Sequence, residues 1–265
     1  MGSLFARLFE DAGYEVSCSG RDTTPSNADI AASCDWVVVS VPIRDTVSVI
    51  REIGPLLTSS QLICDLTSIK TDAMQAMGET KAQVIGLHPM FGPTLSTIAG
   101  QTIIASPLRC DSLIKEQLFS IFSANGAAIV EMDPVAHDRA MAVVQGLVHG
   151  VTLAAADTIR QSGCTLPEIL AVMSPVYRIE MGIIGRILGQ SPSLYGDILA
   201  MNPAVLPIID SLKGSVTGLE EIVASDDQEA FWHFFETLRA WFAEYIDEAT
   251  METDHLISVL AERKP

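Results

Sequence analysis

The hydrophobic pattern of this chain changes its period once, near residue 133. Before that point, short apolar runs alternate with helical segments, which is typical of βαβ units and a parallel sheet. After Pro134 the pattern is helical throughout, with no convincing strand. We therefore predict an α/β domain over residues 1–133 and an all-helical domain over residues 134–265.

The first of these domains is predicted to begin on a helix rather than on a strand. The opening stretch, MGSLFARLFEDAGYEV, has its apolar side chains on one helical face and ends at Gly13. The predicted strands are 14–19, 36–41, 61–65, 83–87, 102–105 and 127–131. The helices of this domain are 3–11, 29–33, 45–53, 68–77 and 112–125. Those of the second domain are 136–162, 166–188, 191–201, 205–224 and 227–261.

The charge and cysteine content exclude several classes of partner. The chain carries a formal net charge of −17, so most of its surface would repel phosphate backbones and anionic lipid. No apolar run reaches the roughly 18 residues of a membrane span, and we expect neither nucleic acid nor membrane as a partner. The five cysteines are widely spaced without a CxxC pair, which predicts reduced thiols, no metal ligation and a cytoplasmic protein.

The strongest local signal is the stretch VIGLHPMFGP. His88 stands at the end of an apolar strand, and Pro89 holds it in an extended conformation. In open α/β sheets ligands bind at the carboxyl ends of the strands, which is where this imidazole would lie. Two interpretations are open: a catalytic histidine, or a ring that hydrogen-bonds a loop carbonyl.

A second signal, DLTSIK, lies at the end of the preceding strand and the start of a helix. One interpretation is that Thr67 or Ser68 caps the helix while Lys70 is solvated. The other is that a hydroxyl orients His88 and Lys70 supplies positive charge to an anionic ligand. The two interpretations are compatible for Ser68.

In the helical domain, the stretch HDRAMAVVQGLVHGV places Gln145 and His149 one turn apart on an otherwise apolar face. Such a histidine is either a hydrogen-bonded core residue or part of a binding site. Gly146 and Gly150 also lie one turn apart and would let another helix approach closely.

Two arginines occur in the apolar stretch SPVYRIEMGIIGRIL. Arg178 and Arg186 are eight residues apart and therefore close to the same helical face. A buried arginine requires an anion, either a structural partner such as Glu180 or a substrate carboxylate held bidentately.

These motifs together carry a family resemblance. GLHPMFGP, VSVPI, DLTSIK, HDRAM…QGLVHG, SPVYRIE…GR and YGDI, in this order and spacing, resemble the prephenate dehydrogenase family. The similarity covers essentially the whole chain and is greatest to the dehydrogenase part of the bacterial bifunctional chorismate mutase and prephenate dehydrogenase proteins. It implies an α/β Rossmann-like domain lacking its usual first strand, followed by an all-α dimerisation domain, and a homodimer formed through that helical domain.

The resemblance also implies roles for the candidate residues. His88 would take the proton from the ring hydroxyl of prephenate, and the Ser68 hydroxyl would hold its imidazole. Hydride removal and loss of CO2 would then yield 4-hydroxyphenylpyruvate. Arg186 would hold the ring carboxylate. The implied substrate-binding residues are Lys70, Gln145, His149, Arg178 and Arg186.

The cofactor half of the implied site matches the family only in part. The family's first strand and glycine-rich turn, G-x-G-x-x-G, cradle the dinucleotide pyrophosphate, but here Met1 and Gly2 align with only the last residues of that turn. Gly20 and Arg21 stand where an NAD-preferring site offers an acidic residue, which favours NADP over NAD. The implied cofactor-binding residues are Gly2, Ser19, Arg21, Val41 and Pro42.

Three interpretations of this partial match are open. The sequence begins inside a longer protein, or the chain binds NAD or NADP with a rebuilt site, or it uses no dinucleotide. In the last case it would be a cofactor-independent lyase, isomerase or cyclase acting on a carboxylated ring. A further alternative is a dimer that senses a metabolite without catalysis. The complete set of His88, Ser68, Lys70 and the arginines favours an enzyme, because sensing requires no proton acceptor.

Overall fold

The structure, a computed structural model, describes residues 1–21 and 23–262. Its described part contains one five-stranded sheet in the order β1-β2-β3-β4-β5. The strands are β1 (Trp36–Val39), β2 (Leu62–Asp65), β3 (Gln83–Pro89), β4 (Thr102–Arg109) and β5 (Ala128–Glu131). Neighbouring strands run parallel except β3 and β4, which are antiparallel. The middle strand, β3, is buried along its whole length.

Helices make up most of the remainder. In the first half these are α1 (Gly2–Asp11), α2 (Asn27–Ser33), α3 (Ile43–Ile53), α4 (Thr71–Gly78) and α5 (Ser112–Ala124). Next come α6 (Pro134–Met141), a π-helical turn (Ala142–Leu147) and α7 (Val148–Gln161). The last are α8 (Leu166–Ala171), α9 (Pro175–Leu188), α10 (Pro192–Met201), α11 (Val205–Ser225), α12 (Gln228–Trp241) and α13 (Ala243–Ala261).

The sheet is covered by a hydrophobic core on each face. One core contains side chains of α1 and α5, with Phe5 and Phe122 in edge-to-face contact at 5.6 Å between ring centroids. The other contains side chains of α2, α3 and α4, with Ile50 and Met77 fully buried. This arrangement of helices on both faces of a mostly parallel sheet is Rossmann-like and confirms the predicted class of the first domain.

Five of the six predicted strands form, and the one over 14–19 does not. Residues 14–19 adopt no regular secondary structure, because no described strand lies beside them to complete a hydrogen-bonded ladder. Tyr14 instead packs against Trp36 of β1, with ring centroids 5.1 Å apart, and Val16 lies against the core.

The prediction of a parallel sheet is correct only in part, because one pair of strands is antiparallel. Strand β4 reverses direction relative to β3 because the connection over 90–101 contains no helix. A parallel neighbour would need a crossover of a dozen or more residues, usually a helix.

Two of the predicted long helices are divided. The stretch 166–188 forms α8 and α9, because Pro175 must lie in the first turn of a helix and disfavours a helical residue before it. Thr165 and Glu168 close the start of α8 as a reciprocal capping box. The stretch 227–261 is divided at Phe242, where α12 ends and α13 begins.

The chain separates into two compact units. One comprises Met1–Val144 together with Ser193–Ala204, and the other comprises Gln145–Pro192 with Val205–Pro265. Helix α6 and nearly all of α10 therefore belong to the unit that contains the sheet. The domain boundary at residue 133 stays a prediction.

In the second unit, the close approach predicted for Gly146 and Gly150 is confirmed. A Cβ atom on Gly146 would lie 2.6 Å from Val205 of α11, and one on Gly150 would lie 2.9 Å from Ile209. A larger side chain at Gly146 would therefore require the Val205 side chain to shift.

The second unit buries few of its own apolar side chains. Helices α7, α8, α12 and α13 contain no buried residue in their described parts. Trp232 and Trp241 are 70% and 78% exposed. Exposed aromatic side chains of this size are typical of interaction surfaces.

One helical run passes the length and composition test for a membrane span. Residues Pro134–Gln161 form 28 residues of continuous helix with a mean hydropathy of 1.3 in the most apolar window. The expectation that no uninterrupted apolar run reaches this length holds, because polar residues such as Gln145 and His149 interrupt this helix, although its mean hydropathy is that of a span. A single helix of this kind is weak support for a membrane protein.

Candidate active site

His88 lies near the carboxyl end of β3 and is almost completely buried. Its Nδ1 atom is 2.8 Å from Nε2 of His137, which is carried by α6. The two rings meet edge to face, with centroids 5.0 Å apart. Helix α6, which follows the last strand of the sheet, therefore supplies the hydrogen-bond partner of His88.

The contact chain continues from His137 to Asp138. Nδ1 of His137 is 2.8 Å from a carboxylate oxygen of Asp138. The same carboxylate accepts hydrogen bonds from the backbone amides of Lys70 and Thr71, at 2.7 and 2.9 Å. Asp138 thus caps the N-terminus of α4, where a negative charge is favoured.

The surroundings of these groups shift their pKa values. Burial, followed by the nearby His137 and Lys70, lowers the pKa of His88 well below the ordinary value of 6.5, although Asp138 opposes this shift. Burial alone would raise the pKa of Asp138, but the hydrogen bonds from His137, Lys70 and Thr71 outweigh it and lower that pKa. At neutral pH the folded protein therefore holds a neutral His88 and an ionised Asp138.

We expect the free energy of unfolding to decrease as the pH falls below about 6.5. In that range the unfolded chain binds a proton at His88 that the folded protein excludes, because the folded pKa is lowered. Urea unfolding at several pH values measures how the free energy of unfolding depends on pH. We expect this dependence to be weaker in the His88→Asn variant. An unchanged dependence in that variant would contradict the burial of a neutral imidazole.

Lys70 does not line an open site as predicted. Its side chain is fully buried and forms an ion pair with Asp65, the last residue of β2. The alternative of a solvated Lys70 is wrong for the same reason. Burial lowers the pKa of Lys70 and raises that of Asp65, although each charge stabilises the other. Lys70 is therefore the structural ion-pair partner of Asp65, and its burial does not support the predicted role as a substrate-binding residue.

Gly86 of β3 provides the space for this buried pair. A Cβ atom there would collide with Met74 and lie 3.3 Å from both Asp65 and Lys70. The glycine of the GLHP motif is thus explained by the ion pair packed against it.

The hydroxyl residues of DLTSIK have different roles from those expected. Helix α4 begins at Thr71, and neither Thr67 nor Ser68 caps it, since the capping group is Asp138. Ser68 is half-buried, and the Nδ1 position of His88 faces His137 rather than a hydroxyl. The role of Ser68 toward the imidazole stays a prediction.

The residues predicted to bind a dinucleotide gather at the carboxyl end of β1. Gly2 lies beside Ser40, where an added Cβ would be 3.4 Å from the Ser40 hydroxyl. Helix α1 starts there without a side-chain cap, and exposed Val41 and Pro42 lead from β1 into α3. In Rossmann-like folds the phosphates of a dinucleotide bind at a helix N-terminus beside a strand end, which is the place of these residues.

Two further predicted cofactor residues lie in the loop before α2. Arg21 is exposed and forms an ion pair of 3.6 Å with Asp45 in the first turn of α3. The Ser19 hydroxyl donates a hydrogen bond to Asn27 at 2.9 Å. Arg21 is therefore close to the same end of the sheet, with its guanidinium accessible to a ligand.

The second unit carries the other predicted substrate residues. Gln145, in the π-helical turn, and His149, at the start of α7, are both half-buried, and burial lowers the pKa of His149. A π-helical turn of this kind is often found at functional sites. Arg178 and Arg186 on α9 are exposed in this chain, so the expectation of buried arginines is wrong here.

Asp65, His137 and Asp138 were not assigned a role from the sequence. Asp65 had a recognisable signal, because it is the one charged residue in the buried strand LICD. The other two were visible in HDRAM, but nothing in a single sequence places them behind His88. That placement depends on the packing of α6 against α4.

The sheet covered by helices on both faces and the buried imidazole at the end of β3 define the class of Rossmann-like enzymes, which bind nucleotides. Family models narrow this class: the nucleotide-binding domain of prephenate dehydrogenase matches residues 9–103, and its dimerization domain matches residues 133–239. The chain belongs to the prephenate dehydrogenase family.

Two curated relatives agree with this membership. The T-protein of Haemophilus influenzae is 33% identical over 261 residues, covering 97% of this chain and 68% of that protein. The probable arogenate/prephenate dehydrogenase of Methanocaldococcus jannaschii is 32% identical over 250 residues, covering 87% of this chain and 56% of that protein.

A solved structure supports the fold. Prephenate dehydrogenase from Aquifex aeolicus, in complex with hydroxyphenyl propionate and NAD+, has a TM-score of 0.72 and 20% identity. The match covers 92% of this chain and 94% of that one. This likeness shows that the two chains share a fold.

Proposed function

We propose that this chain catalyses the NAD(P)-dependent oxidative decarboxylation of prephenate or a close relative, such as arogenate or an amino-substituted prephenate. The observation that carries the proposal is the buried, neutral His88 at the carboxyl end of the middle strand, backed by His137 and Asp138. A neutral imidazole is a suitable proton acceptor at physiological pH.

In the proposed reaction, His88 accepts the proton of the ring hydroxyl. A bound nicotinamide dinucleotide supplies the acceptor for the hydrogen and electron pair on the same ring carbon. As the carboxylate leaves as CO2, its bonding electrons complete an aromatic ring, and the proton returns to the ring oxygen to give a 4-hydroxyphenylpyruvate-type product. The protein must therefore hold the substrate, exclude water and hold one proton at His88.

The substrate would be bound by basic and polar side chains of the second unit. With a formal net charge of −17, the chain repels dicarboxylates unless cations are placed at the site. We assign this role to His149, Gln145, Arg178 and Arg186, with Arg186 on the ring carboxylate. The exposed guanidinium groups of α9 are available for bidentate binding.

The cofactor would be held by the residues at the carboxyl end of β1. Gly2 and the first amides of α1 would face its phosphates, and Val41 and Pro42 would border it. Ser19 and Arg21 would face the ribose, where the accessible guanidinium of Arg21 favours the additional phosphate of NADP over NAD.

The second unit would form a homodimer in the cytoplasm. The family model that matches the second unit is a dimerization domain. A partner subunit would bury the exposed Trp232 and Trp241 of this unit. The curated relatives that are named for an activity, such as the probable arogenate/prephenate dehydrogenase, are dehydrogenases, which gives no support to a cofactor-independent enzyme or to a metabolite sensor.

Calorimetric titration of the chain with NAD and NADP, followed by incubation with prephenate, tests this function. We expect binding of at least one dinucleotide and formation of 4-hydroxyphenylpyruvate. If the folded protein gives no heat with either nucleotide and no product, the proposed function is wrong.

Arg186→Ala is expected to raise KM for prephenate about tenfold or more while leaving thermal stability close to that of the wild type. An exposed charged group that binds a carboxylate contributes to substrate binding and little to folding. Arg160→Ala on α7 is the matched control, because Arg160 is an exposed arginine paired with Asp157 on the same helix. Equal KM values for both variants would overturn the assignment of Arg186.

A further inference from the structure

Behind His88 lie two buried groups, His137 and Asp138, to which the proposed reaction assigns no step. We infer that they are positioning residues of the proposed reaction: they fix His88 as the tautomer protonated at Nδ1 and stabilise it when it gains a second proton. The inference rests on the proposed function for its catalytic consequence, but its structural part can be tested without turnover.

The direction of each hydrogen bond follows from Asp138. Its carboxylate is ionised and can only accept, so Nδ1 of His137 must donate to it. In its neutral form, which the inference requires, His137 donates from Nδ1 and carries its lone pair on Nε2. Nε2 of His137 therefore accepts from Nδ1 of His88, at 2.8 Å, and the lone pair of His88 lies on Nε2.

Asp138 is itself held in one orientation. Its carboxylate accepts the backbone amides of Lys70 and Thr71 at the start of α4, and its own carbonyl accepts a hydrogen bond of 2.8 Å from the Asn202 side chain. The carboxylate therefore cannot turn away from His137 without leaving the buried amide of Lys70 and the partly buried amide of Thr71 without a partner, at considerable cost.

This arrangement matters at the moment of proton transfer. When Nε2 of His88 takes the substrate proton, the ring becomes a cation in a buried site. Its Nδ1–H already donates to His137, whose other nitrogen donates to the anionic Asp138. The positive charge is thus stabilised through the chain without any rearrangement, as is required of a preorganised site.

Nitrogen-15 NMR of the histidine rings in the wild-type protein at neutral pH tests the tautomer directly. We expect the His88 signal, assigned by its loss in His88→Asn, to show protonated Nδ1 and unprotonated Nε2. If His137 were doubly protonated instead, it would donate to His88, and the spectrum would show protonated Nε2. That result would overturn the inference whether or not the chain turns over prephenate.

Two variants test the consequence for the reaction. His137→Phe removes the acceptor and should lower kcat about 10-fold to 100-fold, with KM for prephenate and nucleotide unchanged, and should let both tautomers of His88 appear. His137→Gln can still offer an amide oxygen to Nδ1 and should recover part of the rate. Circular dichroism and thermal unfolding establish that each variant is folded.

The outcomes separate this inference from the proposed function. If the wild type shows the expected tautomer but no turnover, the proposed function fails while the hydrogen-bonded chain stands. If the wild type is active and folded His137→Phe keeps the wild-type kcat, the positioning role is wrong and the proposed function stands.

Discussion

Replacing His88 with asparagine is expected to lower kcat for prephenate by about 10² to 10⁴, the usual contribution of a positioned general base. The substitution removes the imidazole at the end of β3 that we propose as the acceptor of the hydroxyl proton. The amide of asparagine is of similar size and polarity but has no basic nitrogen. Steady-state kinetics with saturating nucleotide measure the loss.

The same experiment contains its own control for folding. Asparagine can still hydrogen-bond to His137, so we expect the variant to unfold at a temperature close to that of the wild type. Nucleotide affinity should also be unchanged, because the predicted cofactor residues lie at β1 rather than at β3. A folded His88→Asn variant with wild-type kcat would show that another group accepts the proton.

Lys70→Met is expected to destabilise the protein by about 3–5 kcal/mol. The substitution leaves the Asp65 carboxylate buried without its cation, next to the packed Gly86. A loss of this size is a large part of the total stability of a typical domain, so the variant should unfold at clearly lower urea concentration. Equilibrium urea unfolding measures the change.

A surface ion pair provides the matched control. Lys115 on α5 pairs with Glu131 at 3.0 Å, but both side chains are partly exposed, and Lys115→Met should cost less than about 1 kcal/mol. The double variant Lys70→Met with Asp65→Leu should recover much of the lost stability, because no buried charge remains. If Lys70→Met were as stable as Lys115→Met, the buried pair would not be a structural element.

Most of the fold could be predicted from hydrophobic period alone. The apolar run WVVV and the buried LICD mark strands that are covered on both faces, and α1 and α3 show their buried faces in the spacing of leucine, phenylalanine and isoleucine. The strand predicted over 14–19 shows the limit of this approach. Its residues have strand propensity, but a strand exists only if a neighbour completes its ladder.

The sequence predicts where the candidate residues lie better than it predicts their contacts. The position of His88 at a strand end follows from the sequence, because Pro89 and the apolar run before it define where β3 ends. The partner of its imidazole does not, since His137 comes from a helix 49 positions further along the chain. Tertiary packing of this kind leaves no periodic signal in a single sequence.

Charge burial is equally hard to predict from sequence alone. Lys70 follows a strand and precedes a helix, where most lysines are solvated, yet it is fully buried against Asp65. Arg178 and Arg186 lie in an apolar stretch that suggested burial, yet both are exposed in this chain. The apolar neighbours of these arginines, such as Tyr177 and Leu188, are exposed as well, so the whole face lacks cover here.

The most direct test of the account is the turnover of prephenate by the wild-type chain with NAD+ and, separately, NADP+ at neutral pH. Absorbance measures reduced nicotinamide, and chromatography measures the aromatic product and residual substrate. We predict equal amounts of reduced nicotinamide and 4-hydroxyphenylpyruvate, with both abolished by omitting the nucleotide. Product formed without reduced nicotinamide, or no product from folded protein with prephenate, arogenate or its amino-substituted analogue, would contradict a dehydrogenase.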